Sequence, residues 1–221
     1  MWFSHGICLP VLMISIHAAA AAGGYFLANV RAIHSVGDSI VTFLRNTYPS
    51  TLYGNNAPAC EFELLASSQL SAEPAEDGRM RLLLYRVTMN EHARQAPGRG
   101  GRSDAGALSL DLHYLLSAWF DNAEDEHIAF AWTLRQLHLH PVLDASSLTP
   151  AAAWAPDEII QLVPAELSTE DLMRIWDAVV PSYRLSASFV ARVVRLDPDE
   201  DREQFAPVVA RRLALGREVK P

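Results

Sequence analysis

The thirteen residues LSLDLHYLLSAWF, 108 to 120, constrain the fold more than any other stretch of this chain. Leu108, Leu110, Leu112, Tyr114, Leu116 and Ala118 fall at every second position, with Ser109, Asp111 and His113 between them. Side chains alternate across a strand, so this spacing predicts a long strand with one apolar face. Such a strand needs neighbours. The nearest is RMRLLLYRVTMNEH from Arg79, apolar enough to lie centrally in a sheet. Between the two runs ARQAPGRGGRSDAGA, where Gly98, Gly100, Gly101, Gly106 and Pro97 rule out a regular element. The pair therefore reads as a long hairpin whose Arg-bearing loop, Glu91–Gly106, reaches beyond the body.

Further strands are expected at CEFELLASSQL, where Phe62 and Leu64 alternate with Glu61 and Glu63, at DEIIQLVPAEL, and at YRLSASFVARVVRL. In the last of these Leu185, Ala187, Phe189, Ala191 and Val193 share one side. Helices are expected at three places. Residues 36–48 carry Val36, Ile40, Phe43 and Leu44 at helical spacing and stop before Pro49. Residues 123–140 begin with acids, end with histidines as the helix dipole favours, and trace a stripe through Ile128, Ala131, Trp132, Arg135 and Leu139. The third helix follows Ser168, with Asp171 approximating a capping box and Leu167 and Leu172 placed for a hydrophobic staple. Its stripe is Leu172, Ile175, Trp176 and Val179, and Pro181 ends it. The order α-β-β-β-α-β-α-β predicts an α+β fold, a mixed and mainly antiparallel sheet packed against two or three helices.

Three domains of behaviour follow. Residues 1–35 contain no Lys or Arg before Arg31, and Pro10, His17 and Gly23-Gly24 interrupt their apolar run. They suit neither a signal peptide nor a membrane span, and are expected to be an irregular extension or an over-extended start, with Met13 an alternative initiator. Residues 36–196 form the α+β domain, and 197–221 a charged tail. A net charge of −8 argues against a nucleic-acid partner. Cys8 and Cys60 are too few for a disulfide scaffold or a four-thiolate zinc site, so a reducing cytoplasm is the expected compartment.

Candidate chemistry is weak at each place where it arises. Gly37-Asp38-Ser39-Ile40 has the form of the serine block of GDSL esterases, but no Asp-x-x-His follows it. Asp38 or Ser35 as an N-cap explains the motif better, so Ser39 is expected to begin a helix and not to act as a nucleophile. Asp111 and His113 share a strand face and could form an acid–base dyad, or simply be that strand's polar side. His138 and His140 are two apart on a helix, the wrong spacing for a helical metal pair, and suit capping of its last carbonyls. GRGGR at 98–102 lacks the spacing of a phosphate-binding loop. No catalytic residue, cofactor or metal is expected.

Three longer stretches carry a resemblance: LLYRVTMNEHARQ, then LSLDLHYLLSAWFDNAEDEHIAFAWTLRQLHLHPVL, then EIIQLVPAELSTEDLMRIWDAVVPSYRLSASFVARVVRL. With these the chain resembles the tail-terminator, or cap, proteins of extracellular contractile injection systems of the antifeeding-prophage and PVC type. The resemblance runs from about Val36 to Leu196 and weakly into PVVARRL, with Phe189 where the family has Tyr. It implies a phage tail-terminator-like fold and a structural role: a six-fold ring that ends the inner tube and contractile sheath and helps set length. The implied partners are further copies of the chain and the tube and sheath proteins, with no membrane. The implied location is the cytoplasm during assembly, then the released particle. An adaptor at the baseplate or on a toxin is the alternative within the same particle, and a GDSL-like hydrolase the alternative outside it. Arg94, Arg99 and Arg102 in the loop, and Trp119 and Phe120 at the far end of their strand, are the expected assembly contacts.

Overall fold

The structure, a computed structural model, describes residues 28–69, 78–90, 108–178 and 183–196. Its elements in chain order are α1 (Ala32–Thr47), β1 (Thr51–Leu52), β2 (Asn55–Asn56), β3 (Glu61–Leu65), β4 (Arg79–Met89), β5 (Leu108–Trp119), α2 (Ala123–Leu139), β6 (Val142–Asp144), β7 (Ile159–Ala165), α3 (Thr169–Asp177) and β8 (Ser186–Leu196). Six strands form one sheet in the order β3-β4-β5-β8-β7-β6, parallel between β3 and β4 and antiparallel elsewhere. The mixed, mainly antiparallel sheet expected from the sequence is the one found. The long hairpin is also present: β4 pairs with β5 from Arg79↔Trp119 to Met89↔Leu110.

One face of the sheet carries the main core. Val36, Ile40 and Leu44 of α1 meet Phe62, Met80, Leu112, Tyr114 and Leu116 of the sheet, and Trp132 joins from α2. Tyr48 sits edge-on to both Phe62 and Trp132, at 5.5 and 4.8 Å between ring centroids. On the other face α3 lays Trp176 over Leu115 and Trp119, a second and smaller core. Ser168 caps α3 as expected, its hydroxyl accepting the Asp171 N–H at 3.0 Å.

Five details differ from expectation. The first helix starts at Ala32, and Ala28 and Ala32 are fully buried, so the folded domain begins ahead of residue 36. Ser35 and Asp38 are therefore not caps but lie within α1, where Gly37 serves a close crossing: a Cβ there would come within 2.8 Å of Leu64 Cδ1. The α2 stripe is rotated. Of the expected residues only Trp132 is buried, alongside Ala129, Phe130, Thr133 and Leu137. That helix is apolar on more than one side, so spacing alone does not choose the face. The alternation of β8 breaks at Val193, φ +62°, where a bulge opposite Asp111 hands the core positions from Phe189 and Ala191 to Val194 and Leu196. Finally, two short pairings went unread: β6 beside β7, and a β1–β2 hairpin turning on Tyr53 and Gly54, both with positive φ as a type I′ turn requires.

Candidate assembly surface

The base of the Arg-bearing loop is built by Asp111. Its carboxylate accepts from the Asn90 side-chain amide at 3.0 and 3.1 Å and from the Val193 N–H at 2.9 Å. The Asn90 N–H meanwhile donates to the Ser109 carbonyl at 2.9 Å. One side chain thus closes the hairpin end and holds a β-branched residue in a left-handed conformation, which costs on the order of 1–3 kcal/mol. Arg94, Arg99 and Arg102, expected on the loop above this base, lie outside the described residues.

Asp111 and His113 do not form a dyad. The His113 Nε2 faces the Thr88 hydroxyl at 3.0 Å, and the Tyr85 ring lies edge-on 6.0 Å away. Burial, then the neighbouring Arg86 charge, lowers the His113 pKa, and Asp111 offsets this only in part. A base poised by its acid would be shifted the other way. These two residues are strand-face polarity with structural partners.

Trp119 and Phe120 require a correction. Trp119 is 1% exposed and Phe120 9%, so neither ring is offered to a partner. Trp119 lies in the second core under Trp176, at 6.3 Å between ring centroids. The Arg81 and Arg184 guanidiniums each lie 4.6 Å from its ring centre. Its indole N–H donates to the Ser117 hydroxyl at 3.0 Å. The strand's far end is apolar because α3 covers Trp119 and the main core takes Phe120.

Ser39 is likewise committed. It is 1% exposed, its hydroxyl donates to the Ser35 carbonyl at 2.6 Å, and it accepts the Thr149 N–H at 2.8 Å. Ser35 continues the tie, accepting the Trp154 indole N–H at 3.0 Å. The serines of this motif fasten α1 to the 147–154 connection. His140 Nδ1 lies 3.1 Å from the Gln136 carbonyl, a capping contact, and the described residues hold no group of His, Cys, Asp and Glu able to bind a metal. Burial pushes the Cys60 thiol up to about 12, which leaves it unreactive at neutral pH. No helix among the described residues is long and apolar enough to cross a membrane.

Sequence reasoning missed one concave surface. The β1–β2 hairpin stands beside α2 and encloses a groove of 490 Å³, with Leu52, Tyr53, Pro58, Ile128, Ala131 and Trp132 among its walls. Tyr53 is 87% exposed, held by the Arg135 guanidinium that donates to its hydroxyl at 2.6 Å. The available signal was a dipeptide, Tyr53-Gly54, between two short extended pairs. It is visible once α2's second apolar stripe is assigned to this groove instead of the core.

A family model, the Pvc16 N-terminal domain, matches residues 35–211. No curated protein matches the sequence. Among solved structures the chain is similar to the PVC sheath/tube terminator, in its extended state, of an extracellular contractile injection system. The two are 17% identical with a TM-score of 0.54, over 88% of this chain and 66% of that one. It is also similar to the tube-terminating cap of the anti-feeding prophage, 18% identical with a TM-score of 0.51, over 90% of this chain and 64% of that one. At these identities the likeness is one of fold. The chain spans about two thirds of the length of these two relatives.

Proposed function

The chain belongs to the Pvc16 N-terminal domain family, and from that premise we propose that it is a structural tail terminator of a phage-tail-like contractile injection particle. It caps the inner tube and sheath and helps set their length, working as a closed ring of copies, six in the form we favour. A ring needs heterologous contacts that close by rotation, each burying on the order of 1,000 Å² or more. The chain assembles in the cytoplasm and leaves as part of the extracellular particle. The observation that carries this reading is the family match, which spans nearly all the described fold. A non-enzymatic role is consistent with it: Ser39, Asp111 and His113 are each held by structural partners.

Deleting the gene and measuring particle lengths by negative-stain electron microscopy tests the reading. Tubes of uncontrolled length, or sheath lost from the distal end, are expected. Particles of normal and uniform length would refute termination, leaving the adaptor role to be considered. Within this reading the loop bearing Arg94, Arg99 and Arg102 is a docking element for an acidic partner surface. Shortening 98–106 should leave the thermal melt of the chain unchanged while weakening its incorporation into particles. Unchanged incorporation would remove the loop from the interface.

A further inference from the structure

The face of the sheet opposite the main core is filled along only part of its width. There α3 covers Leu115 and Trp119. Beside them the register gathers Val142, Ile159, Gln161, Val163, Val190 and Arg192 on that same face: Val142 pairs with Gln161, Gln161 with Arg192 and Val163 with Val190. Their alternates Leu143, Ile160, Leu162 and Ala191 point the other way, into the main core. Val142, Ile159 and Val163 stand exposed as neighbours, and contiguous apolar surface of this kind marks a place where something docks.

We propose that the cover is the chain's own segment 199–212, lying back along β7 and β8 in the same copy. Place is the first argument. β8 ends at Leu196, and the Asp197-Pro198 that follows is a turn signal whose proline has no N–H for a further pair. The strand next to β8 is β7, so the patch begins about 5 Å to the side of that end and a few residues back. The family match also continues past β8 to residue 211, which joins this segment to the domain.

Charge order is the second argument. The segment reads acid, apolar, base: Asp199, Glu200, Asp201 and Glu203 around Arg202, then Phe205, Val208 and Val209, then Arg211 and Arg212. The face, followed from the end of β8 toward α3, reads base, apolar, acid. The exposed Arg192 comes first, then Val190 and Val163, then the exposed Glu166 and the acidic first turn of α3, Glu170 and Asp171. Asp144, the acid beside Ile159, already accepts from the Ser146 and Ser147 backbone. Laid the other way, the segment would set base on base and acid on acid. From the level of Arg192, beside Gln161, to Glu166 the strand covers about 16 Å, and Asp201 to Arg211 spans that whether coiled or extended. So short a tether holds the segment over its own face at an effective concentration on the order of millimolar, which favours the same copy over a neighbour. The inference concerns one copy and does not depend on the terminator reading.

Disulfide trapping in the full chain tests it. In a Cys8→Ser background, one version carries Val163→Cys with Val209→Cys and the other Tyr53→Cys with Val209→Cys. Val163 and Tyr53 are both exposed, but Tyr53 lies on the α2 side of the sheet. Under mild oxidation the 163–209 pair should close within one chain about tenfold faster than the 53–209 pair, with the linked peptide identified by mass spectrometry. Equal rates, or links formed only between chains, would overturn the proposal. Glu166→Arg should slow the 163–209 closure by about two- to fivefold, the factor of an exposed ion pair, and adding Arg211→Glu with Arg212→Glu should restore it. A closure rate that Glu166→Arg leaves unchanged would overturn the charge order that places the segment.

Discussion

Trp176→Ala should lower the stability of the chain by about 3–5 kcal/mol, the range for truncating a large buried aromatic. Trp176 is 3% exposed and anchors the second core, touching Leu115 and Trp119 with Tyr85, Leu167, Leu172 and Ile175 around it. The effect should be at the upper end, because α3 is only nine residues long and a helix that short holds its shape through packing. Losing its one fully buried side chain removes the reason for it to dock. For a chain of this size such a loss corresponds to a melting temperature lower by about 6–20 °C. Trp176→Phe should cost much less. Among the described residues the Trp176 indole N–H has no hydrogen-bond partner, so the phenyl ring gives up volume but no polar contact there. Thermal unfolding of both variants by circular dichroism checks this pair. A Trp176→Ala melt within 2 °C of wild type, on the same scaling, would mean α3 contributes nothing to the cooperative unit.

The same residue shows what a sequence can and cannot disclose. Trp176 was legible because α3 is amphipathic in the strict sense: one stripe, a cap at Ser168, a staple at Leu167 and Leu172. The hairpin of β4 and β5 was legible for an equally local reason, alternation flanking a Gly-rich loop. Reading failed where burial is decided by elements far apart in the chain. Trp119 looked like an exposed end because nothing near it in sequence announces that α3, more than fifty residues on, will cover that face. Ser35 looked like a cap because a capping serine resembles one that bonds to a distant loop, and the Thr149 that bonds both Ser35 and Ser39 lies 110 positions beyond Ser39. The bulge at Val193 was invisible for the same reason, since the side chain that stabilises it is Asp111, 82 positions earlier. The Arg-bearing loop, a docking element only by proposal, is read from composition alone.

Asp111→Ala should then be the most damaging change on the polar side of β5, at about 2–4 kcal/mol. It removes the acceptor shared by the Val193 N–H and the Asn90 amide, and leaves the Val193 N–H in a partly buried setting where an unmet donor carries its full desolvation cost. The positive φ of Val193 then lacks its compensation, and the bulge should relax toward a regular strand, displacing Val194 and Leu196 from the core. His113→Ala, by contrast, should cost less than about 1 kcal/mol, since it removes one hydrogen bond to Thr88 at a half-exposed position. An acid–base dyad would make the two substitutions equivalent in any assay of activity; a hairpin clamp makes them unequal in stability. Denaturant unfolding of the two variants decides between these accounts, and equal, small losses would sink the clamp. The consequence for assembly follows from position. Asp111 fastens the hairpin at its Met89–Leu110 end, the base from which the Arg-bearing loop departs. Asp111→Ala should therefore weaken the incorporation of the chain into particles at temperatures where the rest of the domain remains folded, because the hairpin end frays before the core does.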